Sequence, residues 1–219
     1  MKKIILPVLL FLTCFSFAQN SKFGTFYDQR KSLFEILPDT KNEIIFLGNS
    51  ITNFAEWSEL FSNPNVKNRG ISGDVTAGVL NRLDQITRSK PAKVFLLIGI
   101  NDLSRNVSKD SVYRNICQIA TTIRTASPKT HVYIQSILPV NDCYKMFVNH
   151  TNKTEEIKWV NMKLAAFCKD QNFTYVDLFS HFKSPDNDKM NPIYSNDGLH
   201  LLGNGYLLWV DIIKPLLNK

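Results

Sequence analysis

The chain has 219 residues, 44% hydrophobic and 21% charged, with nine glycines and nine prolines. This is ordinary globular composition, long enough for one domain or two small ones, and it excludes collagen-like and low-complexity classes. The formal net charge is +7 with the basic residues scattered, so the clustered footprint of a nucleic-acid binder is absent. A chain of this size buries roughly 70% of the surface its unfolded form exposes, so its core needs no disulfide or metal staple.

Residues 1–18 read as a separate object. Lys2 and Lys3 precede the apolar run 4–17, which is too short to cross ~30 Å of hydrocarbon as a helix. Small residues follow at Ser16 and Ala18, the pattern of a bacterial secretory signal cleaved after Ala18. Two alternatives are an uncleaved anchor and a lipoprotein acylated on Cys14, although Thr13 suits the latter poorly. The expected mature protein begins at residue 19, is secreted or periplasmic, and has no stable membrane insertion. Its only adjacent basic pair is Arg30-Lys31.

Beyond residue 40, short apolar runs rich in Val, Ile and Phe alternate with helical patterns. Strands are predicted at 43–47, 66–68 (weakly), 94–98, 131–137 and 174–178. Helices are predicted at 54–62, 74–88, 110–126, 154–170 and 203–217, with Ser108 and Thr154 as caps for the third and fourth. Strand alternating with helix implies right-handed βαβ crossovers and a parallel sheet. The expected fold is a three-layer α/β/α sandwich on five parallel strands, with a site at the carboxyl ends of the strands. Cys117 and Cys168 fall in helical patterns and read as buried, inert thiols. With Cys143 they make an odd number, which leaves room for one disulfide plus a free thiol.

Chemistry-bearing residues follow the apolar runs. Ser50, in Gly48-Asn49-Ser50-Ile51-Thr52, sits where a strand turns into a helix, either as a helix cap or with its hydroxyl projecting from the sheet edge. Gly73, in Asn68-Arg69-Gly70-Ile71-Ser72-Gly73-Asp74, allows backbone to approach a ligand closely, and Asp74 favours the start of the next helix. Asn101, in Gly99-Ile100-Asn101-Asp102, reads either as turn chemistry or as a donor to a developing oxyanion. Asp197 lies three residues before His200, close enough to fold back and fix the imidazole tautomer. His131, His150 and His181 lack such a carboxylate; the first starts a strand and the others lie in predicted loops.

Taken in order, these blocks resemble the SGNH (GDSL-like) hydrolase family, over roughly residues 43–217. The stretches 68–76 and 197–206 look similar to the catalytic subunits of platelet-activating-factor acetylhydrolase. One departure is Asn49, where many members have Asp; it is not the nucleophile, so the mechanism stands. The resemblance implies a flavodoxin-like fold with Ser50 as nucleophile, His200 as general base and Asp197 as its orienter. The backbone N–H groups of Ser50 and Gly73 and the side chain of Asn101 would form the oxyanion hole. Ester hydrolysis through an acyl-enzyme is implied, with no cofactor and no metal.

The family resembled includes acetyl-sugar esterases, phospholipid deacetylases and thioesterases. Loop 139–153, with Tyr144, Met146 and Phe147, is expected to rim the pocket. It also holds Asn141, Asp142, Lys145, Asn149 and Asn152, so no long apolar lid is indicated. The expected activity is removal of short acyl groups, most simply acetyl, from a small-molecule or glycan ester. Rival readings are a lipid esterase of lysophospholipase or thioesterase type and a non-enzymatic carbohydrate-binding protein on the same scaffold. A metal-dependent phosphoesterase using Asp102, Asp197 and His200 has too few ligands for a two-metal centre.

Overall fold

Five parallel strands form one sheet in the order β2-β1-β3-β4-β5. In the computed structural model, which describes residues 21–217, they are β1 (Ile44–Gly48), β2 (Val66–Gly70), β3 (Lys93–Leu97), β4 (His131–Gln135) and β5 (Thr174–Val176). The expected leader, residues 1–18, lies outside the described residues. β1 and β3 are buried along their whole length, as interior strands covered on both faces must be. The edge strands β2 and β5 are only partly buried.

The α/β expectation therefore holds, with local corrections. The predicted fourth and fifth strands run too long. At residue 137 a side chain replaces the ladder: Asn161 Nδ2 donates to the Ile137 carbonyl (2.9 Å) and its Oδ1 accepts from the Ile137 N–H (2.8 Å). Beyond β5, the Phe179 N–H donates to Ser136 Oγ (2.7 Å).

Among the helices, α1 (Thr25–Ile36) has no counterpart in the sequence reading. The predicted helix 54–62 shrinks to α3 (Trp57–Leu60), preceded by α2 (Ser50–Asn53), which the sequence reading lacks, and the predicted helix 74–88 appears as α4 (Thr76–Leu80) and α5 (Asp84–Thr87). The apolar positions of the latter, Val75, Val79, Leu83 and Ile86, are nonetheless buried. The helix breaks between them, where the fully buried Arg82 turns in to reach Asp74.

Next come α6 (Ile100–Ser104), α7 (Lys109–Ala126), α8 (Val148–Thr151), α9 (Thr154–Gln171), α10 (Phe179–Phe182) and α11 (Gly203–Leu217). Ser108 caps α7 by accepting from the Ser111 N–H. Thr154 does not cap α9: the N-cap is Lys153, without a side-chain bond. α4, α5 and α9 each pack against α7. No helix among the described residues is long and apolar enough to cross a membrane.

An aromatic ladder holds α3 and α11 to the sheet. Phe46, Phe95 and Tyr133 stand in register on β1, β3 and β4, with ring centroids 5.0 and 4.4 Å apart. Trp57 of α3 stacks on Phe46 at 4.0 Å, and Trp209 of α11 meets Trp57 edge-on at 4.9 Å. Trp209 Nε1 also donates to Gln135 Oε1 (2.7 Å), so its one polar group is satisfied inside the core. The three cysteines among the described residues are free. Cys117 and Cys168 have thiols pushed up by burial to about 11 and about 12, whereas Cys143 is exposed.

Because Phe46 lies at the centre of this ladder with no exposure, Phe46→Ala should cost about 3–5 kcal/mol, as large-to-small changes of a buried aromatic do. Urea denaturation monitored by tryptophan fluorescence measures it. A loss below about 1 kcal/mol would show that the stack does not anchor α3 and α11.

Candidate active site

The sheet order places β1 between β2 and β3, so the loops leaving β1 and β3 diverge to opposite sides and open a crevice at their carboxyl ends. Ser50 follows β1, Gly73 follows β2 and Asn101 follows β3. Asp197 and His200 lie on the turn before α11, which Tyr206 ties to the Ser50 helix by donating to the Ile51 carbonyl (2.9 Å).

His200 stands between the other two members of the expected triad. Its Nε2 is 3.0 Å from Ser50 Oγ and its Nδ1 is 2.7 Å from Asp197 Oδ2. The turn builds this geometry locally. Asp197 Oδ1 accepts from the backbone N–H groups of Leu199 (2.8 Å) and His200 (2.7 Å), and Ser195 Oγ accepts from the Gly198 N–H (2.9 Å). Gly198 has φ +81, and a Cβ there would collide with the Asn141 carbonyl oxygen. Glycine is thus required at this position between Asp197 and His200. Burial alone would raise the Asp197 pKa, but these backbone donors and the imidazole outweigh it and hold the carboxyl below its ordinary value. The carboxylate therefore keeps its charge in mildly acid solution.

The expected oxyanion donors meet at the same place. Ser50, Ser72, Gly73, Asn101, His150 and His200 line one cleft of about 250 Å³. The Ser50 and Gly73 backbone amides donate to no acceptor among the described residues, so both are free for a ligand. Gly73 sits at φ +79. Asn101 Nδ2 gives one N–H to the Asp74 carbonyl (2.9 Å) and keeps the other. A hydroxyl bonded to an imidazole, beside three free N–H groups, can attack a carbonyl carbon and hold the oxyanion that forms.

The support of this cleft was not legible from the motifs. Asp74 serves the helix start as expected, its Oδ1 accepting from the Val75 N–H ahead of α4 (2.9 Å), and its Oδ2 pairs with Arg82 at 2.8 Å, both side chains being fully buried. Arg82 also donates to the Gly48 carbonyl (3.3 Å), bracing the β1 and β2 loops together. Burial raises the Asp74 pKa, and Arg82 opposes it. Asp102 accepts from Thr76 Oγ1 (2.6 Å) and the Thr76 N–H (3.0 Å), joining the β3 loop to α4. Asn49 Oδ1 accepts from the Ile51 N–H (3.1 Å), while its buried Nδ2 finds no acceptor among the described residues.

Two expectations about segment 139–153 need correction. It is not all loop, since it holds a 3₁₀ turn at Asp142–Tyr144 and α8. Of its three named residues only Phe147 lines the cleft; Tyr144 donates to the Ser195 carbonyl (2.8 Å) and Met146 is exposed. His150 and His181 lie in α8 and α10 rather than in loops. His150 and Arg105 also line the cleft, and no spacing pattern pointed to either. Among the described residues no cluster of three or more His, Cys, Asp or Glu is arranged to hold a metal ion.

The parallel α/β sheet carries this cleft at its strand ends, where such folds bind their ligands. A model of the GDSL-like Lipase/Acylhydrolase family matches residues 46–208, so the chain belongs to that family and is an ester hydrolase. It is similar to platelet-activating factor acetylhydrolase IB subunit alpha2 of Gallus gallus, with 28% identity over 195 residues covering 81% of this chain and 76% of that protein. A GDSL-like lipase of Bacteroides thetaiotaomicron VPI-5482 shares the fold, with TM-score 0.76 and 24% identity over 88% of this chain and 97% of that one. An N-acylneuraminate cytidylyltransferase of Streptococcus agalactiae serotype III matches in part, with 26% identity over 69% of this chain but only 36% of its own length.

Removing Arg82 should leave a buried carboxylate without its partner. Arg82→Ala is expected to lower stability by about 3–5 kcal/mol at pH 7. The raised pKa of Asp74 would climb further in the variant. Its penalty is therefore smallest below the unfolded-state value and grows as pH rises. Urea midpoints at pH 4 and pH 7 test this; an equal loss at both would mean that lost packing, not charge, sets the cost.

Proposed function

We propose that the protein is an exported serine esterase that removes short acyl groups, most simply acetyl, from carbohydrate esters. Ser50 is the nucleophile, His200 the general base and Asp197 its orienter. The single observation that carries this reading is the imidazole of His200 bonded to Ser50 Oγ on one side and to Asp197 on the other.

In the reaction Ser50 Oγ attacks the ester carbonyl carbon as its proton passes to His200 Nε2. The oxyanion is held by the N–H groups of Ser50 and Gly73 and by Asn101 Nδ2. Collapse breaks the bond to the alcohol oxygen, which leaves with the proton from His200. Water then attacks the acyl-enzyme, gives its proton to His200 and releases the carboxylic acid, and Ser50 recovers its proton. Asp197, held ionised, keeps Nδ1 protonated and stabilises the imidazolium of each step.

Three features favour a small acyl group on a sugar. The cleft is small and carries Ser72, Ser104 and Arg105 beside Ser50. The exposed rings of Phe54 and Phe147 flank the His200 ring at 5.2 and 5.1 Å, presenting apolar faces against which a pyranose can lie. One relative is named for an enzyme of N-acylneuraminate, an acylated sugar. Export rests on the pattern of residues 1–18 alone, with the chain from residue 19 as the hydrolase domain. A lipid ester is the second reading. It is favoured by the exposed apolar run Met146–Val148 beside the cleft and by the platelet-activating-factor acetylhydrolase relatives.

Ser50→Ala and His200→Ala should each remove nearly all ester hydrolysis, and the double variant little more, because nucleophile and base act as a unit. Turnover of p-nitrophenyl acetate by the purified, folded variants measures this. Near-normal turnover by Ser50→Ala would overturn the assignment.

For the substrate, kcat/KM across p-nitrophenyl acetate to octanoate is the measurement, beside acetate release from acetylated sugars. A short-acyl cleft should lose activity beyond about four carbons as added methylenes clash. A steady gain with chain length, about 0.8 kcal/mol per buried CH₂, with no acetate released from any sugar, would favour the lipid reading.

A further inference from the structure

His150 has no part in the chemistry described above, yet it reaches into the cleft. Its Nε2 lies 3.0 Å from Asn101 Oδ1. We propose that His150 is a positioning residue for the oxyanion hole, its Nε2–H donating to Asn101 Oδ1 and so fixing which end of the Asn101 side chain faces the reacting carbonyl. The inference rests on the reading of Ser50 and Asn101 given under the proposed function.

Hydrogen-bond bookkeeping assigns the roles. A side-chain amide has an oxygen that only accepts and a nitrogen that only donates. The Asp74 carbonyl also only accepts, so Asn101 must turn Nδ2 toward it, as it does at 2.9 Å. Oδ1 then faces His150, and Nε2 must carry the proton. With both ends fixed, the second N–H of Nδ2 is the one group of Asn101 left for a ligand. Without His150, Oδ1 keeps no donor among the described residues and the amide gains freedom to rotate. A rotated amide would bring a carbonyl oxygen toward the developing oxyanion and repel it.

The segment bearing His150 is built to hold it there. α8 starts from Phe147 in the left-handed region (φ +50), which is costly for a bulky side chain. From that position the Phe147 carbonyl accepts from the His150 N–H (2.7 Å). The Phe147 ring packs edge-on against both imidazoles, with centroids 5.8 Å from His150 and 5.1 Å from His200. Burial, with His200 and Arg105 nearby, pushes the His150 pKa down. At neutral pH the ring is therefore uncharged and carries the single proton this bond uses. Asn101 is held from its other side by the buried Asp74–Arg82 pair, through the Asp74 carbonyl.

A double-mutant cycle on p-nitrophenyl acetate, with stability of every variant measured beside it, tests the idea. Removing one oxyanion donor costs on the order of 10²–10³ in kcat, so Asn101→Ala should fall in that range. His150→Ala should lower kcat roughly 10- to 100-fold with KM nearly unchanged, since a misdirected amide fails only the transition state. On the Asn101→Ala background the same change should have little further effect. His150→Gln, whose amide nitrogen can stand where Nε2 does, should recover part of the activity, and His150→Phe should not.

A second readout needs no turnover. The Asn101 side-chain NH₂ pair in a ¹H–¹⁵N spectrum should shift and broaden in His150→Ala and stay close to the native position in His150→Gln. The proposal is overturned if His150→Ala acts on KM alone, if its loss is undiminished on the Asn101→Ala background, or if the Asn101 amide signals do not change. Failure of the underlying reading looks different: Ser50→Ala would keep its turnover whatever the His150 variants do.

Discussion

A bond of 3.0 Å between His200 Nε2 and Ser50 Oγ joins two residues 150 positions apart in the chain, and most of the architecture serves to bring them together. Ser50 is fixed by the most buried part of the molecule, because β1 is an interior strand with no exposed residue. His200 is fixed by the chain's last helix, which must dock on the sheet before the imidazole can face the serine. The docking is done by Trp209, sunk between Trp57 and Gln135, and by Tyr206, bonded to the Ile51 carbonyl on the serine's own helix. Site and core are therefore one construction, with the aromatic ladder under α11 aligning His200 with Ser50.

The loops around that bond are tied to one another by buried polar groups. Arg82 binds the β2 loop to the end of β1, Asp102 binds the β3 loop to the start of α4, and Asn101 spans from the β3 loop to the Asp74 carbonyl. Each of these groups is costly to bury unless it is satisfied, so a partial arrangement is strongly disfavoured. On the proposed reading the consequence is a preorganised anion site. The N–H groups of Ser50 and Gly73 are held unpaired among the described residues, and little reorganisation would be left to accompany charge development on a substrate.

Much of this was legible in the sequence. Apolar runs alternating with helical patterns gave the parallel sheet, and the strand-end rule led directly to Ser50, Gly73, Asn101 and His200. The contact of Asp197 with His200 was readable because a three-residue spacing is local. What stayed hidden depended on distance or on weak pattern. α1 buries only Tyr27 and Phe34 of its twelve residues, too few to make a helical stripe. The break between α4 and α5 follows from an arginine turning inward to a carboxylate eight positions back, which periodicity does not register. His150 meets Asn101 across 49 residues, and a lone histidine in a polar stretch carries no mark of its partner. The ends of β4 and β5 were overrun because Asn161 and Ser136 take over the backbone bonds of strands that read as continuing.

The central claim is that Ser50, His200 and Asp197, with the N–H groups of Ser50, Gly73 and Asn101, form one acyl-transfer site. A crystal structure of the protein treated with p-nitrophenyl methylphosphonate tests it most directly, because the adduct mimics the tetrahedral intermediate. The account predicts phosphorus bonded to Ser50 Oγ, with one phosphoryl oxygen about 2.7–3.1 Å from all three donors. An adduct on another residue, or a phosphoryl oxygen turned away from Gly73 and Asn101, would contradict it.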